Sequence, residues 1–503
     1  MRPLALSAFV LAAALVAFAL VLSSPIKTTI SVQQSLQRGQ PTRFPETRVP
    51  PFLRSRFASS MGSKPLPEYP RPHLQRSSRD GWRSLNGWWE WQELRRSTPL
   101  GTPLSSRVRV PFPIESALSG LSLGSASAGI ASMRYRRSFE VPANWYWPER
   151  CSVRLHIGAA DWMAVMYVNG LRVGSHTGGF APFSADLDGA LGAIVPGSPA
   201  HTVEIDVQDP SEAFGQPIGK QRRLNGGMFY TAVSGIWGSV WLERVPRVAF
   251  VADVRTRLEL PEQLHAEVSV HATTRSSVRL GASSRVYVSL QLIDPLSSSQ
   301  RGNGDATYQK PGQVSGLDEP APGNRAGWWG TSASSIVAAE GGCYVDGWRQ
   351  TEPRPRTDLK VRGSKTGIRP AEVGEAAPRE LAASCSTTLT WRDSSLPPRL
   401  WTPESPVLYG VVARLYYASA DGSNSSEPID EVRSYTGLRT ISVVRDPRTG
   451  VARIALNGVP RFLAGVLDQG YWPSGLYTAP TDDALQSDIS HAKVLGFDMI
   501  RKH

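Results

Sequence analysis

Three polar side chains near the end of the sequence stand where chemistry can be done. Asp468 follows the short apolar run Gly465–Leu467, while Arg501 and His503 close the run Phe497–Ile500. A carboxylate so placed can accept hydrogen bonds from hydroxyl groups, and a fixed guanidinium keeps a neighbouring carboxyl ionised and oriented. An imidazole can donate to or accept from the same hydroxyl-rich ligand. Each residue also has a plainer reading. Asp468 can be a turn residue, Arg501 half of a structural ion pair, and His503 simply the last residue of the sequence. Other chemistries lack their residues. There is no His-Glu-x-x-His, no clustered Cys/His set and no Gly-x-Ser-x-Gly elbow, so no resident metal and no cofactor is expected.

The elements that must position these residues read as a β/α unit. Arg461–Gln469 is predicted to be a buried strand, Gly470–Pro480 a loop, Thr481–Gly496 an amphipathic helix and Phe497–His503 a second buried strand. Upstream, short alternating strands are predicted at Gly87–Leu94, Met133–Val141, Ser152–Ile157, Ala164–Val168, Thr202–Val207 and Ser239–Val245. Turn signals such as Asn169-Gly170, Gly178-Gly179 and Asp209-Pro210 separate them. This spacing predicts a β-sandwich or jelly roll. A second set at Ala249–Leu258, His265–Ala272, Val286–Leu292, Ser386–Trp391 and Leu408–Tyr417 is about the size of a seven-stranded immunoglobulin-like sandwich. Ser434–Val444 then leads into a hairpin turning at Asn457-Gly458. Trp89 and Trp91 should share one face of their strand and Trp88 the other; with Trp82, they are expected to pack a core rather than form a sugar-stacking platform.

The chain is 503 residues long with 40 Pro and 45 Gly, enough for roughly three domains rich in loops and strands. Its net charge of +12 comes mostly from singly scattered Arg, with no Lys/Arg run of five, so no nucleic-acid partner is expected. Leu4–Leu22 is an apolar run behind Arg2, a signal peptide or a single N-terminal membrane anchor; both remain open. Either directs the body to the secretory pathway, extracellular or membrane-anchored. The sequon Asn424-Ser425-Ser426 fits that compartment. Of three cysteines, Cys343 and Cys385 can pair, whereas Cys151 reads as a buried thiol.

Taken in order, several motifs resemble glycoside hydrolase family 2, the group of β-galactosidases, β-glucuronidases and β-mannosidases. They include Ser84-Leu85-Asn86-Gly87-Trp88-Trp89, Val110-Pro-Phe-Pro-Ile-Glu-Ser116, Gly178-Gly179-Phe180-Ala181-Pro182-Phe183 and Val233-Ser234-Gly235-Ile236-Trp237. Leu400–Tyr409, Gly437-Leu438-Arg439, Gly465–Gln469 and Ile500-Arg501-Lys502-His503 complete the series, which covers about 82–295 and 386–503. The resemblance implies a mainly β chain: a jelly-roll sugar-binding sandwich, an immunoglobulin-like sandwich, then the first β/α units of a TIM barrel. The expected division is a signal or anchor (1–24), a disordered linker (25–79), the jelly roll (80–246), the immunoglobulin-like domain (247–438) with a disordered insert (295–385), and the start of the barrel (439–503). It also implies retaining hydrolysis of β-linked terminal sugars, with β-galactoside and β-glucuronide favoured equally.

Such chemistry needs two carboxyls about 5–5.5 Å apart across the scissile bond. In the family these come from later barrel strands, and no position of this sequence matches them, so no catalytic residue is carried over. The chain is therefore expected to be an inactive, truncated form or an incomplete reading of a longer one, with a non-catalytic carbohydrate-binding protein as the alternative. The resemblance gives Asp468, Arg501 and His503 as substrate-binding residues, and the loop after Asp209, through Gln221, as part of the site's rim. Asp498 replaces an Asn common in the family.

Overall fold

The structure, a computed structural model, describes residues 55–76, 81–94, 99–121, 130–145, 151–192, 200–212, 215–223, 227–259, 263–272, 285–294, 336–345, 349–350, 381–392, 398–418 and 423–503. The expected signal or anchor (1–24) lies outside these residues. So do 25–54 and 77–79 of the expected linker and most of the expected insert. Among the described residues no helix is long and apolar enough to cross a membrane.

The first sandwich packs a six-stranded sheet against a four-stranded one. The larger sheet runs Ser106–Val110, Gly87–Glu93, Ser132–Phe139, His201–Gln208, Met163–Val168 and Leu171–Thr177. The smaller runs Phe183–Asp186, Cys151–Ile157, Val240–Pro246 and Trp82–Ser84. Every pairing in these two sheets is antiparallel. Period-two alternation decides which side chains meet between the sheets. Trp89 is 1% and Trp91 5% exposed in the core, whereas Trp88 on the other face is 39% exposed under the Arg109 guanidinium. The tryptophan run is thus mainly core, as expected. At Asn169-Gly170 both backbones have positive φ, as a two-residue hairpin between right-twisted strands requires.

The second sandwich has seven full strands: Phe250–Glu259, Gln263–Ala272, Arg285–Asp294, Ile336–Val345, Leu381–Trp391, Tyr409–Ala418 and Asp430–Thr436. Two two-residue strands bring the hydrogen-bonded sheet to nine: Gln75–Arg76 at one end of its path and Arg349–Gln350 off the path, beside Leu381–Trp391. It folds around one core to which Leu264 and Val268 contribute from one end and Val288, Leu290 and Val432 from the other. Two expectations are corrected here. Ile336–Val345 is a central strand inside the stretch expected to be a disordered insert, and a strand begins at Leu381 rather than Ser386. Its Glu-Gly-Gly-Cys centre hides the alternation that marks a strand. The Cys343–Cys385 disulfide joins it to Leu381–Trp391, with Cα atoms 5.9 Å apart; Cys151 is half-buried outside any disulfide.

Residues 55–76, expected to be disordered linker, are a strap laid over the body. Tyr69 and Leu74 are buried, Tyr69 Oη donates to Glu243 at 2.8 Å, and Gln75–Arg76 pairs with Val432 and Arg433. Phe57 packs against Trp472, Ala479 and Ala484. The apolar anchors are too widely spaced among Pro, Ser and Arg to show any periodicity in the sequence.

After a three-stranded antiparallel sheet (Ile441–Arg445, Ala452–Leu456, Val459–Pro460) comes one parallel β-α-β unit. Gly465–Asp468 pairs in parallel with Met499–Lys502, and helix Asp482–Val494 lies between them in sequence. Thr481 Oγ1 caps the helix by accepting from the Ala484 N–H at 3.2 Å, and Asp482 and Asp483 in the first turn complement its dipole.

Candidate functional site

The site is assembled at the C-terminal edge of the parallel pair. Asp468 and Lys502 are register partners at the last position, and Lys502 Nζ donates to Asp468 Oδ2 at 2.6 Å. Oδ1 accepts from the Gly470 N–H at 2.8 Å, a tight turn held by the side chain. Partial burial pushes the Asp468 carboxyl up, but Lys502 and the Gly470 N–H outweigh it and hold the group below its usual range. Asp468 therefore fills its turn role, and as an ionised carboxylate it retains lone pairs for a hydroxyl ligand.

His503 continues the ladder, its N–H donating to the Asp468 carbonyl at 2.8 Å, and its ring is exposed. Arg501 is placed differently. It lies opposite Leu467, is exposed, and by strand alternation faces away from Lys502. The cation brought to Asp468 is Lys502, and Arg501 makes no ion pair among the described residues. Asp498 stands just before Met499, at the far end of the strand.

The loop Gly470–Pro480 fixes this edge against the first sandwich. The Tyr230 hydroxyl donates to Gln469 Oε1, and Tyr471 Oη donates to the Thr231 carbonyl at 2.8 Å. Tyr230 and Tyr471 rings lie 4.5 Å apart, Tyr471 and Tyr477 5.0 Å, and Tyr477 and Trp237 5.2 Å. Trp237 Nε1 in turn donates to the Gly179 carbonyl at 2.8 Å. Thr478 Oγ1 lies 2.9 Å and 2.7 Å from the carbonyl oxygens of Pro111 and Trp237. An aromatic seam thus ties the β-α-β unit to the sandwich. The loop expected at the rim reaches the edge through its continuation. Gln221–Arg222 pairs in parallel with Tyr230–Thr231, and these latter residues make the contact. Asp209 is buried, accepting from the Ser211 N–H at 2.6 Å and Gln216 Nε2 at 2.9 Å.

Beneath the seam lie two acids that sequence reasoning missed. Burial pushes the Glu115 carboxyl up to about 8, although its Oε2 accepts from the Ser234 N–H at 3.0 Å. Burial, then repulsion from Asp209, also pushes Asp161 up to about 8. Asp161 packs so tightly on Gly179 that a Cβ there would lie 2.5 Å from Oδ1, which is why that position takes glycine. The signal for Glu115 was an acid enclosed by Pro-Phe-Pro-Ile. Asp161 carried none. Among the described residues no group of three His, Cys, Asp or Glu is placed to hold a metal ion. Among the described residues no second carboxyl acts on Asp468, so this edge does not present two opposed acids.

No model of a known protein family matches the chain. Its sequence is 35% identical to a β-glucuronidase of Paenibacillus borealis over 79 residues, 16% of this chain and 13% of that one. It is 29% identical to the β-glucuronidase of Mus musculus over 120 residues, 24% of this chain and 16% of the relative. Among solved structures, the β-glucuronidase of Bifidobacterium dentium complexed with coumarin-3-O-glucuronide aligns with a TM-score of 0.51 at 19% identity, covering 85% of this chain and 58% of the other. The Ruminococcus gnavus β-glucuronidase in complex with a C6-substituted uronic isofagomine gives 0.51 at 17% identity, covering 87% and 57%. The chain thus spans little more than half the length of the enzymes whose fold it shares.

Proposed function

We propose that this chain belongs to glycoside hydrolase family 2 and serves the hydrolysis of a β-linked terminal sugar, a β-glucuronide ahead of a β-galactoside, and that residues 1–503 alone do not turn substrate over. The observation that carries this is the edge at Asp468, Lys502 and His503, which the aromatic seam holds against the jelly roll. Exposed strand-end polar groups on a rigid seam suit a sugar-binding rim. Arg501 and His503 remain candidates for sugar contact because both are exposed at the same edge. The preference for glucuronide rests on the sequence relatives. Inactivity follows from the requirement for two opposed carboxyls, of which this edge presents at most Asp468. The purified chain incubated with nitrophenyl β-glycosides is expected to release no nitrophenol. Turnover above a heat-killed control would falsify the inactivity. Saturable binding on a glycan array would favour the non-catalytic carbohydrate-binding reading.

The secretory pathway is proposed as the compartment. Support comes from the Cys343–Cys385 disulfide, which suits an oxidising environment, and from the exposure of Asn424. Cells expressing the chain should yield a form that drops in mass on enzymatic deglycosylation; an unshifted product retained in the cytosol argues against it.

A further inference from the structure

A cleft of about 390 Å³ opens where the second sandwich gives way to the three-stranded sheet. Thr256 and Leu258 line it from the strand Phe250–Glu259, Leu264 from Gln263–Ala272, Thr436 from the end of Asp430–Thr436, and Arg439 and Thr440 from the connection that follows. None of these residues belongs to the Asp468 edge or to the aromatic seam. Leu264 and Leu258, 1% and 7% exposed, give the cleft an apolar floor. Its polar wall is built on Trp401. The Trp401 N–H donates to the Leu438 carbonyl at 2.8 Å, and Asn457 Nδ2 donates to the Trp401 carbonyl at 3.1 Å. A Cβ at Gly437 would lie 3.1 Å from the indole, so the chain passes directly against that side chain. Over the indole lies the Arg439 guanidinium, 4.5 Å from the ring centre.

Arg439 is held in place while its donors stay open. Among the described residues it forms no ion pair and no side-chain hydrogen bond, only the stack on Trp401. The carboxylates of the adjoining loop and strand are taken. Glu404 accepts from both Nη atoms of Arg461 at 2.7 and 2.8 Å, and Glu259 pairs with Arg257 at 2.7 Å. Stacking on an aromatic face fixes the plane of a guanidinium and leaves its N–H edge outward, so little freedom is lost when a ligand docks. That planar fork matches a carboxylate through two oxygens. Two hydroxyls stand beside it. Thr256 Oγ1 donates to Thr436 Oγ1 at 2.8 Å, which leaves the Thr436 proton free to donate, and the Thr440 hydroxyl has no partner among the described residues. The volume falls within the roughly 300–1,000 Å³ of small-molecule pockets, more than a lone inorganic anion fills. A sugar ring bearing a carboxylate meets each feature: its C–H face the leucines, its hydroxyls the threonines, its charge the fork.

We propose that this cleft is a second, non-catalytic site that binds an acidic sugar, a uronate, its carboxylate on the Arg439 guanidinium and its hydroxyls on Thr436 and Thr440 above the Leu258 and Leu264 floor. The test is isothermal titration of the full chain with sodium D-glucuronate. D-Glucose serves as the same ring without the charge, and sodium acetate as the charge without the ring. Saturable binding of glucuronate, absent with glucose and with acetate at equal concentration, is the expected result. Arg439→Gln is expected to weaken it roughly tenfold or more, the equivalent of one charge-assisted contact. Arg439→Lys keeps the charge but loses the fork, so its affinity should be intermediate, which also guards against a folding defect in the first variant. Asp468→Asn, at the other edge, should leave this binding in place. Absence of saturable heat with glucuronate, equal binding of glucose or acetate, unchanged affinity in Arg439→Gln, or loss of binding in Asp468→Asn overturns the proposal.

Discussion

Glu115 and Asp161 show how burial turns an acid into a pH-dependent liability. Both bind a proton more tightly in the folded chain than in the unfolded one, their carboxyls being pushed up to about 8. A group of this kind supports the fold below its unfolded pKa and loses that support as pH rises toward its folded value. Stability is therefore expected to fall between about pH 4 and 8, by at most about 5–6 kcal/mol for each group given 1.36 kcal/mol per pKa unit. Denaturant melts across this range should show it, and Glu115→Gln, which still accepts from Ser234, should flatten part of the slope; an equal slope in the variant excludes Glu115 as a cause. The same scale shows what the sequence could not reveal at the edge. Asp468 was legible as a polar strand end, yet whether Lys502 or Arg501 faces it depends on register, and a shift of one residue exchanges the two.

Strands that alternate were legible at the level of elements. Met163–Val168, His201–Gln208 and Arg285–Asp294 each bury every second side chain, and the sequence marks them within a residue or two. Leu171–Thr177 carries Gly174 and Ser175 where a regular alternation would reveal it, and Ser106–Val110 and Phe183–Asp186 are short, with only Val108, Val110 and Ala185 buried, so the ladder from neighbouring strands shows what they are. Helix Asp482–Val494 is legible through its cap but is atypical in burial. Only Ala484 and Ala492 are buried, while Ile489 is 61% and Val494 85% exposed, and Phe462 before the first parallel strand is 80% exposed. Apolar area left in water contributes little to holding an element closed. Limited proteolysis followed by mass spectrometry should cut after Val444 before either sandwich is cut. Survival of this region as long as the sandwiches would contradict that order.

Three bodies follow one another along the molecule, yet the strap ignores that sequence. It touches the helix through Phe57, the first sandwich through Tyr69 and the second through Leu74 and Arg76. Leu74 is 3% exposed in the second core, so Leu74→Ala is expected to lower stability by about 2–4 kcal/mol. A calorimetric melt unchanged by that substitution would show the strap to be loosely held. Arg76 also has a consequence in time. Its partner Asp430 lies 354 positions downstream, and ribosomes add roughly 5–20 residues per second. During biosynthesis Arg76 must therefore wait some tens of seconds for its distant anchor to emerge, long after Glu243 has become available to the same strap.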